Sequence, residues 1–192
     1  MSILKAENRD QSLKAKKLRK SGIVPGCVYG SNLEKTLLLQ IPEADAKKFL
    51  KTNSVGCKVT LDVEGNKINA LLKEISMDNL GNQIEHLCFQ SLVAGEKVMG
   101  TAQIVLLNRD KVAEFIQQSL FEISYKAVPS HLIEKVEIDL EGMKAGDCVR
   151  IEDLDLAKDE DIELVTAPDS MILTIVENKR TPAGTEEEAA AE

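Results

Sequence analysis

The chain has no tryptophan, two tyrosines and four phenylalanines among its 192 residues. Its core must therefore be built from Leu, Ile and Val. No stretch approaches the ~18 consecutive apolar residues of a membrane-spanning helix. The opening Met1-Ser2-Ile3-Leu4-Lys5-Ala6-Glu7-Asn8-Arg9 lacks the apolar run of a secretory signal. The expected location is cytoplasmic. No Cys-x-x-Cys pair exists, and Cys27, Cys57, Cys88 and Cys148 are widely spaced. Four reduced, mostly buried thiols are expected rather than a zinc ribbon.

Catalytic patterns are missing as well. There is no G-x-G-x-x-G and no P-loop. The two histidines are His86 and His131, and neither assembles with a nucleophile and a carboxylate. Cys88 shares a strand face with His86, but positions i and i+2 lie roughly 7 Å apart along a strand. The acidic stretch Glu152-Asp153-Leu154-Asp155, resumed at Asp159-Glu160-Asp161, lacks the spacing and central glycine of an EF-hand loop. It is expected to be a solvated face. No enzyme activity, metal, cofactor or small-molecule substrate is expected.

What is present is an uneven charge. The net charge is −8, yet residues 1–95 hold 14 Lys+Arg against 10 Asp+Glu, a net of +4, and residues 96–192 hold 10 against 22, a net of −12. A basic half joined to an acidic half suggests two domains with different partners. A polyanion is attracted to the first and repelled by the second.

Strand patterns dominate. Residues 2–9 alternate weakly. Residues 11–21 form a basic segment, readable as a short helix or an extended loop, and Gly22 breaks it. In Ile23 to Tyr29, Val24, Gly26 and Val28 share one face and Tyr29 takes the other. Leu37 to Ile41 is a short strand, and Pro42-Glu43 opens a helix to about Thr52 with Ala46, Phe49 and Leu50 on its apolar face. Val59, Leu61 and Val63 point inward. Gly65-Asn66 is expected to turn a hairpin into a return strand from Lys67 to about Ser76. In Ile84 to Val93, Leu87, Phe89 and Val93 face the core and His86, Cys88 and Gln90 face out.

Ala94-Gly95 marks the expected boundary. Beyond it, strands are expected at Gln103 to Leu107, around Phe121, Ile123 and Tyr125, around Val136, Ile138 and Leu140, and around Val149 and Ile151. Met171 to Val176 reads as a strand buried on both faces. Residues 179–192 lack the material to bury surface and are expected to be a disordered acidic tail. The expected fold is mainly β with a few short helices: a basic β-barrel over residues 1–95 and an acidic β-rich domain over residues 96–178.

The basic cluster Lys14, Lys16, Lys17, Arg19 and Lys20 sits in a stretch without acid from Gln11 to Leu33. It leads into Tyr29-Gly30-Ser31-Asn32, where a ring for stacking adjoins small groups that permit close approach. Cations give affinity for phosphates, while Tyr, Asn and His address bases and sugars. Arg19, Lys20, Tyr29 and His86 are the site residues that this chemistry selects.

These residues also carry a resemblance. Leu18-Arg19-Lys20-Ser21-Gly22-Ile23-Val24-Pro25-Gly26-Cys27-Val28-Tyr29-Gly30 resembles the opening signature of bacterial large-subunit ribosomal protein twenty-five. Glu85-His86-Leu87-Cys88-Phe89 is similar to that family's second signature, His-x-Asp-Phe, and Lys73-Glu74-Ile75 to a third. Ile138-Asp139-Leu140, Gly146-Asp147 and Ile151-Glu152-Asp153-Leu154 are similar to the added C-terminal domain of its long, general-stress-protein form. The resemblance implies a six-stranded-type barrel that binds 5S ribosomal RNA in the large subunit. It implies RNA contacts from Arg9, Arg19, Lys20, Tyr29, Gly30, Asn32, Lys73 and His86, and contacts from the acidic domain to neighbouring ribosomal proteins. Two departures stand out: Cys88 replaces an Asp, and Met77-Asp78-Asn79 replaces a basic turn. They are the features that discriminate the ribosomal reading from its alternative, a non-ribosomal stress or interaction protein that keeps the fold with weakened RNA binding.

Overall fold

The computed structural model describes residues 2–176, apart from residues 82, 113 and 160. The expected tail, residues 179–192, lies outside the described residues. Elements of the first part are β1 (Ser2–Asn8), α1 (Ala15–Lys20), β2 (Ile23–Tyr29), β3 (Leu37–Pro42), α2 (Glu43–Thr52), β4 (Lys58–Val63), β5 (Asn66–Met77) and β6 (Ile84–Ser91).

The six strands close into a barrel in the order β1-β3-β2-β6-β5-β4. Most neighbours are antiparallel, but β2 runs parallel to β6 and β1 parallel to β4. Closure leaves no open sheet edge. It also turns one face of every strand inward, which is why alternation predicts the core: Val24, Val28, Leu39, Ile41, Val59, Leu61, Val63, Leu87 and Phe89 are all buried there. Ala46 and Phe49 of α2 join them. Basic α1 is a short helix, held by one buried side chain, Leu18, with Lys17, Arg19 and Lys20 in its last turn, where the helix dipole favours cations.

Three local readings shift. The hairpin turns at Glu64-Gly65, because Val63 pairs with Asn66. Both turn residues have positive φ, 51° and 90°, as a type I′ turn requires. Pro42 is the N-cap of α2 rather than its first helical residue. The last barrel strand stops at Ser91, so Val93 falls outside it.

The second part contains β7 (Val98–Leu107), β8 (Phe115–Gln118), β9 (Glu122–Ala127), β10 (Lys135–Asp139), β11 (Cys148–Arg150), β12 (Glu163–Leu164) and β13 (Met171–Val176). One sheet has the order β10-β7-β9-β12, the other β11-β13-β8. Side chains of both sheets fill a core of Ile104, Ile123, Ile138, Leu140, Ile172, Leu173 and Ile175. Adjacent Ile172 and Leu173 are both buried, so β13 is covered on both faces at its centre, as its unbroken apolar run predicts. Phe121 precedes β9 and is exposed, whereas Ile123 and Tyr125 are buried. Ile151 belongs to a single 3-10 turn rather than to β11.

The two β-rich parts share a small core. Ala70 and Leu72 face the barrel interior, so Leu71 between them faces out. There it packs with Val98, Ala102, Tyr125, Ala127 and Leu132. Polar contacts flank this seam. The Lys58 amide donates to Glu134 Oε1 at 3.1 Å, and Lys73 Nζ donates to the Met99 carbonyl at 2.9 Å. Gly56, at φ +89°, lies so close that a Cβ there would be 1.9 Å from the Thr101 carbonyl oxygen.

Candidate nucleic-acid interface

The outward side chains of β2, β5 and β6 form one continuous face, because β6 lies between the other two. On β2 these are Cys27 and Tyr29, and on β6 they are His86, Cys88 and Gln90. Register places Cys27 beside Cys88, Tyr29 beside Gln90 and His86 beside Ser76 of β5. The β5–β6 register shifts between Leu72 and Glu74. This bulge sits at Lys73 and is the kind of irregularity that re-aims a side chain.

Cations gather at one end of this face. Arg19 Nη1 bonds Glu85 Oε1 at 2.9 Å, and Arg9 Nη2 donates to the Leu13 carbonyl at 3.3 Å. The Nε groups of Arg9 and Arg19 have no partner among the described residues. These Nε groups are buried; a guanidinium offers five N–H donors, so it is the Nη groups of each arginine that retain capacity for an acceptor. Both arginines act electrostatically on His86. Burial first, and then Arg9 and Arg19, hold the imidazole below its ordinary 6.5, while Glu74 opposes them. His86 is therefore neutral at pH 7, with one ring nitrogen to donate and one to accept.

The pH consequence has a definite sign. With its value depressed in the folded state, His86 binds fewer protons folded than unfolded just below 6.5. Its contribution to stability is complete above 6.5 and is lost as pH falls through the folded value. Denaturant unfolding at pH 7.0 and 5.5 should show a larger loss for the wild type than for His86→Gln. Equal losses would remove the assignment.

The aromatic end of the face is Tyr29, 36% exposed. Its phenol is pushed up by burial first, then by the Cys88 and Cys27 sulfurs and Glu74. It keeps its proton and can donate. Lys73 is half-buried, lowered by desolvation with Cys88 opposing, and its ammonium is engaged by Met99. Lys20 is exposed at the end of α1, and Asn32 is exposed in the loop after β2. They flank β2 at opposite ends. Gly30 is explained by packing, because a Cβ there would lie 2.8 Å from Ser91 Cβ.

The structure thus brings Arg9, Arg19, Tyr29, Lys73 and His86 onto one face and leaves Lys20 and Asn32 at its margins. Two features lie beyond sequence reasoning. Glu85 is the carboxylate on Arg19, and the Cys27 and Cys88 sulfurs meet at 3.3 Å. No local signal could show the second, because a parallel pairing across 61 residues creates it. The thiols are also less buried than expected: Cys57 is buried, Cys27 and Cys88 are half-buried and Cys148 is exposed. Among the described residues, His131, Asp159 and Asp161 are the one group whose possible ligand atoms cluster closely, and all three are exposed. No helix there is long and apolar enough to cross a membrane.

Residues 4–89 match the model of the Ribosomal L25p family, and residues 101–179 that of the Ribosomal protein TL5, C-terminal domain. A large ribosomal subunit protein bL25 of Enterococcus faecalis is 30% identical over 186 residues, 95% of this chain and 89% of that protein. The bL25 of Exiguobacterium sibiricum is 30% identical over 93% of this chain and 79% of its own length. That of Gloeothece citriformis is 29% identical over 98% and 97%. Both halves of the chain are covered by these matches. The chain belongs to the bL25 family of ribosomal proteins, in its long, two-part form, and is a structural protein of the ribosome rather than an enzyme.

Proposed function

We propose that this protein is a component of the large ribosomal subunit that binds 5S rRNA through the outer face of β2, β5 and β6 and the adjoining helix α1. The observation that carries this reading is the gathering of Arg9, Arg19, Tyr29, Lys73 and His86 on one face of a barrel whose half of the chain is net positive. Phosphates take the guanidinium and ammonium donors, and the rings meet bases or sugars. Lys20, Gly30 and Asn32 complete the contact at its edges. The protein works in the cytoplasm, on the ribosome.

The full-length protein should shift 5S rRNA at moderate salt in preference to an unrelated structured RNA of the same length, and should co-sediment with large subunits from lysate. Equal affinity for both RNAs would refute the specific reading and favour the interaction-protein alternative.

The Arg19–Glu85 pair refines this. A phosphate has to compete with Glu85 for the guanidinium. Glu85→Gln should therefore raise RNA affinity about two- to fivefold, the size of a partly exposed ion pair. A decrease, read in a filter-binding assay, would mean that Glu85 positions Arg19 for RNA instead of blocking it.

The domain limits proposed are 1–95 and 96–178, with the tail following. Gly95, at φ +84°, lies in the turn between β6 and β7. The acidic second part, net −12 with the tail, repels RNA and suits basic neighbouring ribosomal proteins. Limited proteolysis should cut near Gly95 and leave a folded basic fragment. Complete loss of that fragment would show that the Leu71 seam makes one inseparable unit.

A further inference from the structure

We propose that Cys27 and Cys88 form a thiol–disulfide modification site on the outer face of the barrel, whose substrates are low-molecular-weight disulfides of the glutathione class. The two residues are directly paired on adjacent parallel strands, β2 and β6. Their neighbours Val28 and Phe89 are buried in the core, so both thiols point outward. Both are half-buried and free, and their sulfurs are 3.3 Å apart.

Geometry favours a bond here. Adjacent strands lie about 4.8 Å apart, inside the 4.4–6.8 Å range of Cα separations that a disulfide spans. The sulfurs need only close to about 2.05 Å, which side-chain rotation supplies. The other two cysteines offer nothing comparable. Cys57 is fully buried, and Cys148 lies exposed on β11, facing Thr174 in register.

The chemistry balances as two exchanges. The Cys27 thiolate attacks one sulfur of the small disulfide and expels the other half as a thiolate, which takes up a proton. Cys88 then attacks the Cys27 sulfur of the mixed disulfide, loses its own proton and expels the second thiolate. Two protein thiols are oxidised and one small disulfide is reduced to two thiols. Burial, followed by the Cys27 sulfur, pushes the Cys88 thiol up to about 12, so Cys88 is not the sulfur that attacks first.

The site lies between Tyr29, Lys73, Glu74 and His86, on the proposed RNA face, but its chemistry does not rest on that reading. A cross-strand bond that half-exposed groups surround is open to reduction, so the modification is reversible.

The test uses the full-length protein with Cys148→Ser, which removes the exposed thiol that could link two chains. It is treated with oxidised glutathione and mapped by mass spectrometry. Two of the three remaining thiols should disappear, the mass should fall by two hydrogens, and one cross-linked peptide pair should contain Cys27 and Cys88. Dithiothreitol should reverse all three changes. A further Cys27→Ser change should abolish the cross-link in a protein that melts normally. A glutathione adduct that persists on either sulfur, or folded protein that forms no bond when the denatured chain does, would overturn the proposal.

Discussion

Gly56→Ala should lower stability by about 3–5 kcal/mol, in the range reserved for backbone clashes and lost packing. Two effects combine. At φ +89° an L side chain is strained, by about 1–2 kcal/mol. In addition, the new Cβ would sit 1.9 Å from the Thr101 carbonyl oxygen, a backbone atom of β7. It cannot rotate away, so the second part must move off the barrel. That movement strains the Lys58–Glu134 bond and the Leu71 packing together. For a chain of this size the melting temperature should fall by roughly 6–20 °C. Gly65→Ala is the matched control, since Gly65 has φ +90° and nothing within 4 Å of a Cβ. It should show the conformational penalty alone. If the two variants melt together, the barrel and the second part do not press on each other at this point.

The barrel was readable because its strands obey one rule. A single buried face makes alternation visible in β2, β4 and β6, and Val24, Val28, Leu61 and Phe89 followed it inward. Leu71 broke the rule from the other side: it is apolar on an outward position. Within β5 it reads as one more member of the run Ala70-Leu71-Leu72, and only the arrival of β7 and β9 explains it. The same limit applies to Gly56, whose close neighbour, Thr101, lies 45 positions away. At the site, residue chemistry identified Arg19, Lys20, Tyr29 and His86, while Arg9 and Lys73 came from the family pattern. Periodicity put His86 and Tyr29 on outer faces. It could not say that β2 and β6 are neighbours, which is what makes a surface of them. Neither Glu85 on Arg19 nor Met99 on Lys73 could be read, since both partners are set by tertiary placement.

Tyr29→Ala should weaken the complex with 5S rRNA by ~1–3 kcal/mol, the range for a base stacked on an aromatic ring. This corresponds to about a 5- to 150-fold loss. Lys20→Ala should behave differently. An exposed ammonium meets phosphates wherever the backbone runs, so its loss weakens binding to many RNAs and flattens the logarithmic salt dependence by about 0.7–0.9 of a unit. The ring releases no counterion, so Tyr29→Ala should leave the slope unchanged. Tyr29→Phe keeps the stacking surface and removes only the hydroxyl, and should retain most of the affinity. The competing explanation is structural, with Tyr29 bracing the end of β2 against β6 beside Gln90. Its outward position and 36% exposure argue against that, because truncating a half-exposed outer side chain opens no core cavity. Thermal melting decides between them. A Tyr29→Ala protein that melts near the wild type while binding 5S rRNA weakly locates the ring at the RNA. If melting temperature and affinity fall together, the ring belongs to the fold, and His86 and the arginines must account for specificity without it.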